Sequence, residues 1–199
     1  QAAARVAGSE YQVLDNHTGE LEPTVHFRKD VIRIIREFRP DLVMSHRPWD
    51  YHPDHRYSAM LVQDAAYIVT VPNMVPLTPH LDANPVIMYL SDRFRKPAPF
   101  SGDVVVGIDE VVDRKMDMLH CHVSQMYEWL PYNQGALERV PAGDAERKTW
   151  MAAQRLRAFA EVADRYRGRL VALYGAQEGS RVRYAEAFEV CEYGAALTQ

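Results

Sequence analysis

The chain has 199 residues, 47% of them hydrophobic and 25% charged, which is typical of one ordinary globular domain and excludes a disordered or fibrous chain. Its formal net charge of −4 is mild, so neither a nucleic acid nor an anionic membrane surface is indicated as a partner. No apolar run approaches the roughly 20 residues of a membrane span and no signal-peptide pattern opens the chain, so we predict a cytoplasmic location.

The first residues have the pattern of the end of a helix. Residues 1–7 suit a helix that Gly8 terminates, with no capping residue before them. A helix entered part-way predicts that the natural chain begins upstream of Gln1. The two cysteines, Cys121 and Cys191, lie far apart without CxxC spacing, so we interpret them as buried thiols rather than a disulfide.

Hydrophobic periodicity predicts alternating strands and helices along the chain. The expected strands are 11–14, 41–45, 85–90, 103–108, 170–174 and 183–190, and the expected helices are 24–38, 54–69, 109–130 and 144–166. Asp109 is expected to cap its helix, and the proline-rich stretch 71–101 is long enough to form a lid. This alternation indicates a doubly wound, mostly parallel α/β sheet, in which ligands bind beyond the carboxyl ends of the strands.

The densest group of chemically active side chains lies directly after the strand at 41–45. The run from Ser45 to His55 contains three histidines, two aspartates and an arginine. Pro53 suits the first position of a helix, so His52 becomes the cap residue and His55 falls in the first turn. Neutral imidazole is the commonest metal ligand, and a helix N-terminus disfavours its charged form. We therefore predict metal-binding or catalytic roles for His52 and His55.

The other polar residues of this run are weaker candidates. Asp54 suits the helix N-terminus and could orient a neighbouring imidazole. Arg47 and Asp50 could line the site, whereas a structural hydrogen bond is the favoured role of His46. A hydrolytic zinc site needs about three protein ligands and an open position for water, so one good pair predicts a site that is incomplete within this chain.

Two further groups are weighed against plainer interpretations. His122 and Gln125 on the helix at 109–130 could reach the site from the side, although a polar flank meeting solvent is favoured. Arg93, Arg95 and Lys96 could meet an anionic substrate group, although a solvated loop is favoured.

The sequence resembles the PIG-L/LmbE family of zinc-dependent de-N-acetylases over nearly its whole length. The similarity is carried by Arg39-Pro40-Asp41-Leu42-Val43, His46-Arg47-Pro48, Asp50-Tyr51-His52-Pro53-Asp54-His55-Arg56, Asp64-Ala65-Ala66, 115–129 and Tyr184-Ala185-Glu186-Ala187-Phe188-Glu189. The resemblance implies a Rossmann-like fold of the LmbE type, here without its first strand unit.

The resemblance also implies roles for individual residues. His55 would be a zinc ligand, and His52 and Asp54 would be the catalytic residues. His52 would stabilise or protonate the tetrahedral intermediate, and Asp54 would support it from behind. The family's remaining ligands and its general base come from an Ala-His-Pro-Asp-Asp-Glu motif that this sequence lacks, and we expect them upstream of Gln1. Thr18-Gly19 stands where relatives often carry Asp-Gly, which puts a substrate contact of that loop in doubt.

The expected function is removal of an acyl group, foremost acetyl, from an N-acylated sugar or related amide, with zinc or another divalent metal. The alternatives are a non-catalytic sugar-binding domain and a metal-dependent phosphoesterase. The expected partner is the small amide substrate, and association into a homo-oligomer is left open. Because a single ligand pair gives poor affinity, we expect the chain as written to bind zinc weakly and hydrolyse little.

Overall fold

The computed structural model of this chain describes residues 1–197. The helices are α1 (Ala2–Ala7), α2 (Val25–Phe38), α3 (Pro53–Ala65), α4 (Val112–His120), α5 (Leu130–Asn133), α6 (Asp144–Arg165) and α7 (Arg167–Arg181). The strands are β1 (Leu42–Ser45), β2 (Val86–Leu90), β3 (Val104–Gly107) and β4 (Ala185–Val190). The four strands form a sheet in the order β1-β2-β4-β3, which confirms the α/β fold class.

The chain packs into two compact units. We call residues 15–104 with 187–197 the site unit, and residues 1–14 with 105–186 the helical unit. The single domain predicted for residues 1–199 stays a prediction. No helix of the described part is long and apolar enough to cross a membrane, and the cytoplasmic location likewise stays a prediction.

The site unit is built on parallel pairing of β1 with β2, which sets Leu42 opposite Val86 and Ser45 opposite Tyr89. β4 runs antiparallel to β2, a departure from the mostly parallel order expected. Two apolar clusters cover these elements, one made by Ile32, Ile35, Ala65, Val69 and Leu81, the other by Ala66, Ile87, Tyr89 and Cys191. The parallel β1/β2 pair brings the carboxyl ends of both strands to the same edge, where the chain continues into the candidate site.

The cysteines carry free thiols, as predicted, although only one is fully buried. Cys191 is 3% exposed and accepts a hydrogen bond from the Tyr89 hydroxyl at 2.9 Å, whereas Cys121 is partly exposed.

The helical unit differs from expectation at residues 170–174, which are helical and not a strand. A short apolar run cannot be assigned to helix or strand by periodicity alone. Only Leu170 of this run is fully buried. Gly175, at φ 83° and ψ 164°, reverses the chain inside α7, and the second half folds back on the first. Gly179 permits this approach, because a Cβ there would collide with the backbone of Leu170 and Val171.

Three other predictions are corrected. Residues 11–14 form no strand, and Tyr11 and Val13 are exposed without a sheet neighbour to cover them. The helix expected at 109–130 is interrupted after His120, and a π-helical turn follows at Ser124–Trp129. Asp109 does not cap it, because its carboxylate accepts the backbone N–H groups of Arg183 and Tyr184.

The helices expected at 24–38 and 144–166 are confirmed within one residue at each end, and α1 ends at Gly8 in the left-handed conformation as predicted. The helix expected at 54–69 ends earlier, at Ala65, and a 3-10 turn follows at Ile68–Thr70.

Candidate active site

The candidate site is the loop between β1 and α3, residues 46–52. Its conformation is fixed locally by three interactions. The Asp50 carboxylate accepts the His52 N–H at 2.9 Å, which closes a tight turn. Arg56 donates to the backbone oxygens of Asp50 and Tyr51 at 2.9 and 2.8 Å, so the first turn of α3 holds the loop. The sequence therefore builds a fixed loop at the carboxyl end of β1.

His52 caps α3 as predicted, with Pro53 at the first helical position. Its Nδ1 accepts the backbone N–H of Asp54 at 3.2 Å. A ring nitrogen that accepts a hydrogen bond carries no proton, so neutral His52 bears its proton on Nε2. The cap thus leaves His52 with one N–H donor, at Nε2.

Asp50 and His55 are the best-matched pair of candidate metal ligands. Asp50 is 9% exposed, and its Oδ1 lies 3.1 Å from Nδ1 of His55. That nitrogen is buried and has no hydrogen-bond partner within residues 1–197. Two ligand atoms bound at about 2.0 Å in a tetrahedron are roughly 3.3 Å apart, so this spacing fits a single cation between them.

His46 lies beside this pair. His46, Asp50 and His55 each offer a ligand atom, and these atoms lie within 4.8 Å of one another. The His46 and His55 rings are stacked, with centroids 4.3 Å apart and planes 8° apart. Imidazole lone pairs lie in the ring plane, so His46 must rotate its ring to share an ion with His55. The three residues can hold a metal ion, with His55 and Asp50 already convergent.

The environment keeps His46 neutral. Burial, followed by the charge of His55, lowers the pKa of His46, and the carboxylates of Asp50 and Asp92 oppose this shift. A neutral imidazole is the form that binds a metal.

Asp54 anchors a neighbouring segment. Its carboxylate accepts the N–H groups of Gly19 at 2.7 Å and Leu21 at 3.3 Å. These bonds fix the Thr18-Gly19 loop at the start of α3, next to a cavity of about 540 Å³ lined by Gly19, Glu20, Leu21, Glu22, Pro23, Thr24, Pro53 and Tyr57. The catalytic role of Asp54 stays a prediction, and so does any substrate contact of this loop.

Arg47 is buried, with 1% of its surface exposed. Its guanidinium donates to the Ala98 carbonyl at 2.6 Å and lies 3.5 Å from the carboxylates of both Asp92 and Glu189. It also lies over the Phe100 ring, 5.9 Å from the centroid. These contacts all join protein groups, so Arg47 ties the segment that follows β2 to the site, and its predicted role in lining the substrate is untested.

His122 and Gln125 belong to the helical unit, where both are exposed around the start of the π-helical turn. Their predicted contribution stays a prediction.

Sequence reasoning missed Asp92. It follows β2 by two residues and contacts Arg47, and its charge acts on the pKa of His46. The signal was available, because the carboxyl ends of neighbouring parallel strands meet at one edge of a sheet.

Comparison with known proteins finds a family model that matches the segment containing the candidate site. Residues 1–66 match the family model described as PIG-L: GlcNAc-PI de-N-acetylase, a range that contains the whole β1–α3 loop. The diacetylchitobiose deacetylase of Thermococcus kodakarensis is 32% identical over 133 residues, covering 60% of this chain and 46% of that protein. The chain is therefore similar to PIG-L/LmbE de-N-acetylases, and the family model matches its first 66 residues. It spans less than half of the length of that deacetylase relative.

Two solved structures share the fold of this chain. The N,N'-diacetylchitobiose deacetylase of Pyrococcus horikoshii gives a TM-score of 0.63 at 21% identity, over 96% of this chain and 61% of that one. The 4-carboxy-2-hydroxymuconate hydratase GalB of Pseudomonas putida gives 0.66 at 20% identity, over 100% and 70%. Because a deacetylase and a hydratase share this fold, function has to be argued from the site.

Proposed function

We propose that this protein is a metal-dependent hydrolase that removes an acetyl group from an N-acetylated sugar. The observation that carries the proposal is the Asp50–His55 pair. Oδ1 of Asp50 and Nδ1 of His55 are 3.1 Å apart, and this nitrogen is buried and has no hydrogen-bond partner among the described residues. The deacetylase names of the family model and of the Thermococcus and Pyrococcus relatives support this reaction.

Asp50 and His55 would hold the metal, and His46 would join them after ring rotation. The bound ion, zinc or another divalent metal, would polarise the amide carbonyl and lower the pKa of a bound water. Asp50 supplies the negative charge of the group, while its hydrogen bond to the His52 N–H keeps the carboxylate fixed. Asp50 is buried and His46 is partly buried, which restricts competing water at the cluster.

His52 is placed to stabilise negative charge. Its ring centroid lies 4.8 Å from that of His55, and its proton is on Nε2 because Nδ1 accepts the Asp54 N–H. We assign Nε2–H as a donor to the amide oxygen as that oxygen becomes negative. Protonating the leaving amine from His52 would require an imidazolium, which breaks the helix cap, so hydrogen-bond donation is the favoured role of the two that the family implies. The proton that the leaving amine needs would be the one given up by the attacking water, transferred by a general base that we do not assign among the described residues.

Asp54 would act indirectly in this scheme. Because both of its oxygens accept backbone N–H groups of residues 19 and 21, it holds that loop beside the helix start. We assign Asp54 the task of positioning His52 and the loop.

The two alternative functions make different demands. A two-metal phosphoesterase uses carboxylates that bridge its metal ions, whereas Asp50 is the one carboxylate of this cluster. A sugar-binding domain has no use for an unbonded imidazole nitrogen facing a carboxylate.

The test measures zinc and cobalt affinity by calorimetry and acetate release from N-acetylglucosamine and N,N'-diacetylchitobiose. His55→Ala is expected to weaken metal binding by more than about 100-fold and to abolish acetate release. His26→Ala is the matched control, since His26 is an exposed histidine of the site unit outside the cluster.

His52→Ala separates metal binding from catalysis, because this variant should retain most of the metal affinity while acetate release falls by about 100-fold or more. The proposal fails if wild-type protein and His55→Ala bind both metals with equal affinity, or if wild-type protein at saturating metal releases no more acetate from either sugar than His55→Ala does.

A further inference from the structure

The segment after β2, residues 91–101, contains an unusual concentration of positive charge. Arg93, Arg95 and Lys96 are all exposed, while Asp92 just before them and Phe94 between the two arginines are partly buried. Within residues 1–197, none of these three cations has an ion-pair or hydrogen-bond partner. They stand within four residues of one another in a chain of net charge −4, so they form a local positive patch on an acidic protein.

This segment, the Arg47 loop, is anchored at several points. The buried Arg47 binds the Ala98 carbonyl at 2.6 Å and lies 3.5 Å from Asp92. Asp92 in turn accepts the Phe94 N–H at 2.9 Å, and the Ser101 N–H donates to Glu189 at 2.8 Å. The three cations therefore sit on a held stretch of backbone.

The Arg47 loop lies beside the histidine cluster. The Phe94 ring centroid is 6.2 Å from that of Tyr51, and Tyr51 is 5.9 Å from His52 and 6.0 Å from His55. Tyr51 is 73% exposed and thus forms an accessible aromatic surface between the cluster and the loop. Because Phe94 is the chain neighbour of both Arg93 and Arg95, a substrate whose amide lies at the histidines and whose other end passes over Tyr51 would reach the backbone that carries these cations.

We propose that Arg93, Arg95 and Lys96 recognise an oxyanion, a phosphate or a carboxylate, carried by the substrate away from its amide. This rests on the proposed function, and it narrows the substrate class to anionic N-acylated sugars. Arginine pairs such groups in bidentate geometry, and lysine adds a mobile point charge. Because exposed pairs contribute little each, the three together should change the KM for an anionic substrate by about tenfold.

The experiment removes the three charges together in R93Q/R95Q/K96Q. The substrates are N-acetylglucosamine 1-phosphate, N-acetylmuramic acid with its carboxylate, and neutral N-acetylglucosamine. We expect wild-type protein to prefer at least one anionic sugar and the variant to lose that preference through KM, with kcat little changed. The neutral sugar should be unaffected, and added salt should reduce the wild-type preference.

The matched control is K29Q/R157Q/R165Q, which removes the same charge at exposed cations that also lack a partner within the described residues. It should retain the preference for anionic sugars. The sugar whose KM rises in the loop variant alone identifies the anion as phosphate or carboxylate. Equal KM changes in both variants, or no preference in wild-type protein, would overturn the proposal.

Direct binding of both anionic sugars, measured by calorimetry, separates this proposal from the proposed function. If no sugar is deacetylated but the loop variant alone loses about tenfold in affinity, the hydrolase assignment fails and anion recognition stands. If acetate is released and all three proteins bind the anionic sugars equally, the hydrolase assignment stands and anion recognition is wrong.

Discussion

Two buried arginines hold two loops of the site unit in contrasting ways. Arg36 is 2% exposed and Arg47 is 1% exposed, so neither guanidinium reaches solvent to any extent. Arg36 donates only to backbone carbonyls, at distances of 2.6 to 3.2 Å, namely those of Ile68, Val69, Val71, Met74, Val75 and Thr78. All of its nitrogens are engaged, and the Arg36 loop (residues 68–78) wraps around the charge.

Arg47 is paired mainly by charge. It makes one hydrogen bond, to Ala98, while its Nε and Nη1 are buried without one and face Asp92 and Glu189 at 3.5 Å. Burial lowers the pKa of Arg36, which has neutral partners, whereas two carboxylates offset the charge of Arg47. An arginine whose nitrogens all donate hydrogen bonds therefore fixes its loop. An arginine with nitrogens left over, such as Arg47, holds its loop in a way that allows the loop to shift next to a site.

Arg36→Ala should give the largest effect. It leaves up to six carbonyls without a donor and removes the centre of the Arg36 loop, so we expect a loss of about 3 to 4 kcal/mol in the free energy of unfolding. Urea denaturation measures this. Arg33→Ala on the same helix is the control and should cost no more than about 0.5 kcal/mol, since its pair with Asp30 is partly exposed to solvent. Similar losses of unfolding free energy in the two variants would contradict the special role of Arg36.

Arg47→Ala should cost less, about 2 to 3 kcal/mol, because it leaves two carboxylates without their cation. Adding Asp92→Asn should then restore about 1 kcal/mol, since the unpaired charge is the source of the loss. An additive or larger loss in the double variant would show that Arg47 acts through hydrogen bonding, as Arg36 does.

Amide hydrogen exchange of the unmodified protein tests the contrast without substitution. Backbone bonds within and just beyond the Arg36 loop include Val71 N–H to Ile68, Thr78 N–H to Val75 and Leu81 N–H to Val69. In the Arg47 loop the bonded amides of Phe94 and Ser101 have carboxylate acceptors. We expect the Arg36 loop to exchange at least about tenfold more slowly, and equal rates would contradict the comparison.

The smallest expected effect is a pH dependence at His46 in metal-free protein. Because its pKa is lowered in the folded state from about 6.5, the unfolded chain binds the proton more readily. The contribution to stability is therefore present above about pH 6.5 and is lost as the pH falls toward the folded pKa. Urea midpoints at about pH 7.5 and pH 5.5 should fall less in His46→Asn than in wild-type protein. Equal falls of the urea midpoint in wild-type protein and His46→Asn would rule out this contribution of His46.

Much of the site unit could be predicted from the sequence. The apolar stripe of α2, the buried runs of β1 and β2, and the cap at His52-Pro53 are local patterns, and local patterns fixed these elements. Pairing of Arg47 with Asp92 and Glu189 joins residues 45 and 142 positions apart, which no local pattern reveals.

The helical unit shows the opposite outcome. Residues 170–174 are helical, and the backbone of Leu170 and Val171 packs closely against Gly179, nine residues beyond Leu170. Asp109 leaves its helix uncapped because it binds the chain at residues 183 and 184. In both places a tertiary contact overrides the local preference.

The reversal inside α7 has a consequence for saturation mutagenesis of this chain. Position 175 requires glycine because of its backbone angles, although the space around it is open. Position 179 requires glycine because a methyl group there would collide with the facing backbone. A codon-randomised library should therefore return only the four GGN codons at both positions after selection for folded protein. A second-site suppressor could rescue position 179, by shortening the residues it meets or by moving them apart, but none can supply the dihedral angles of position 175.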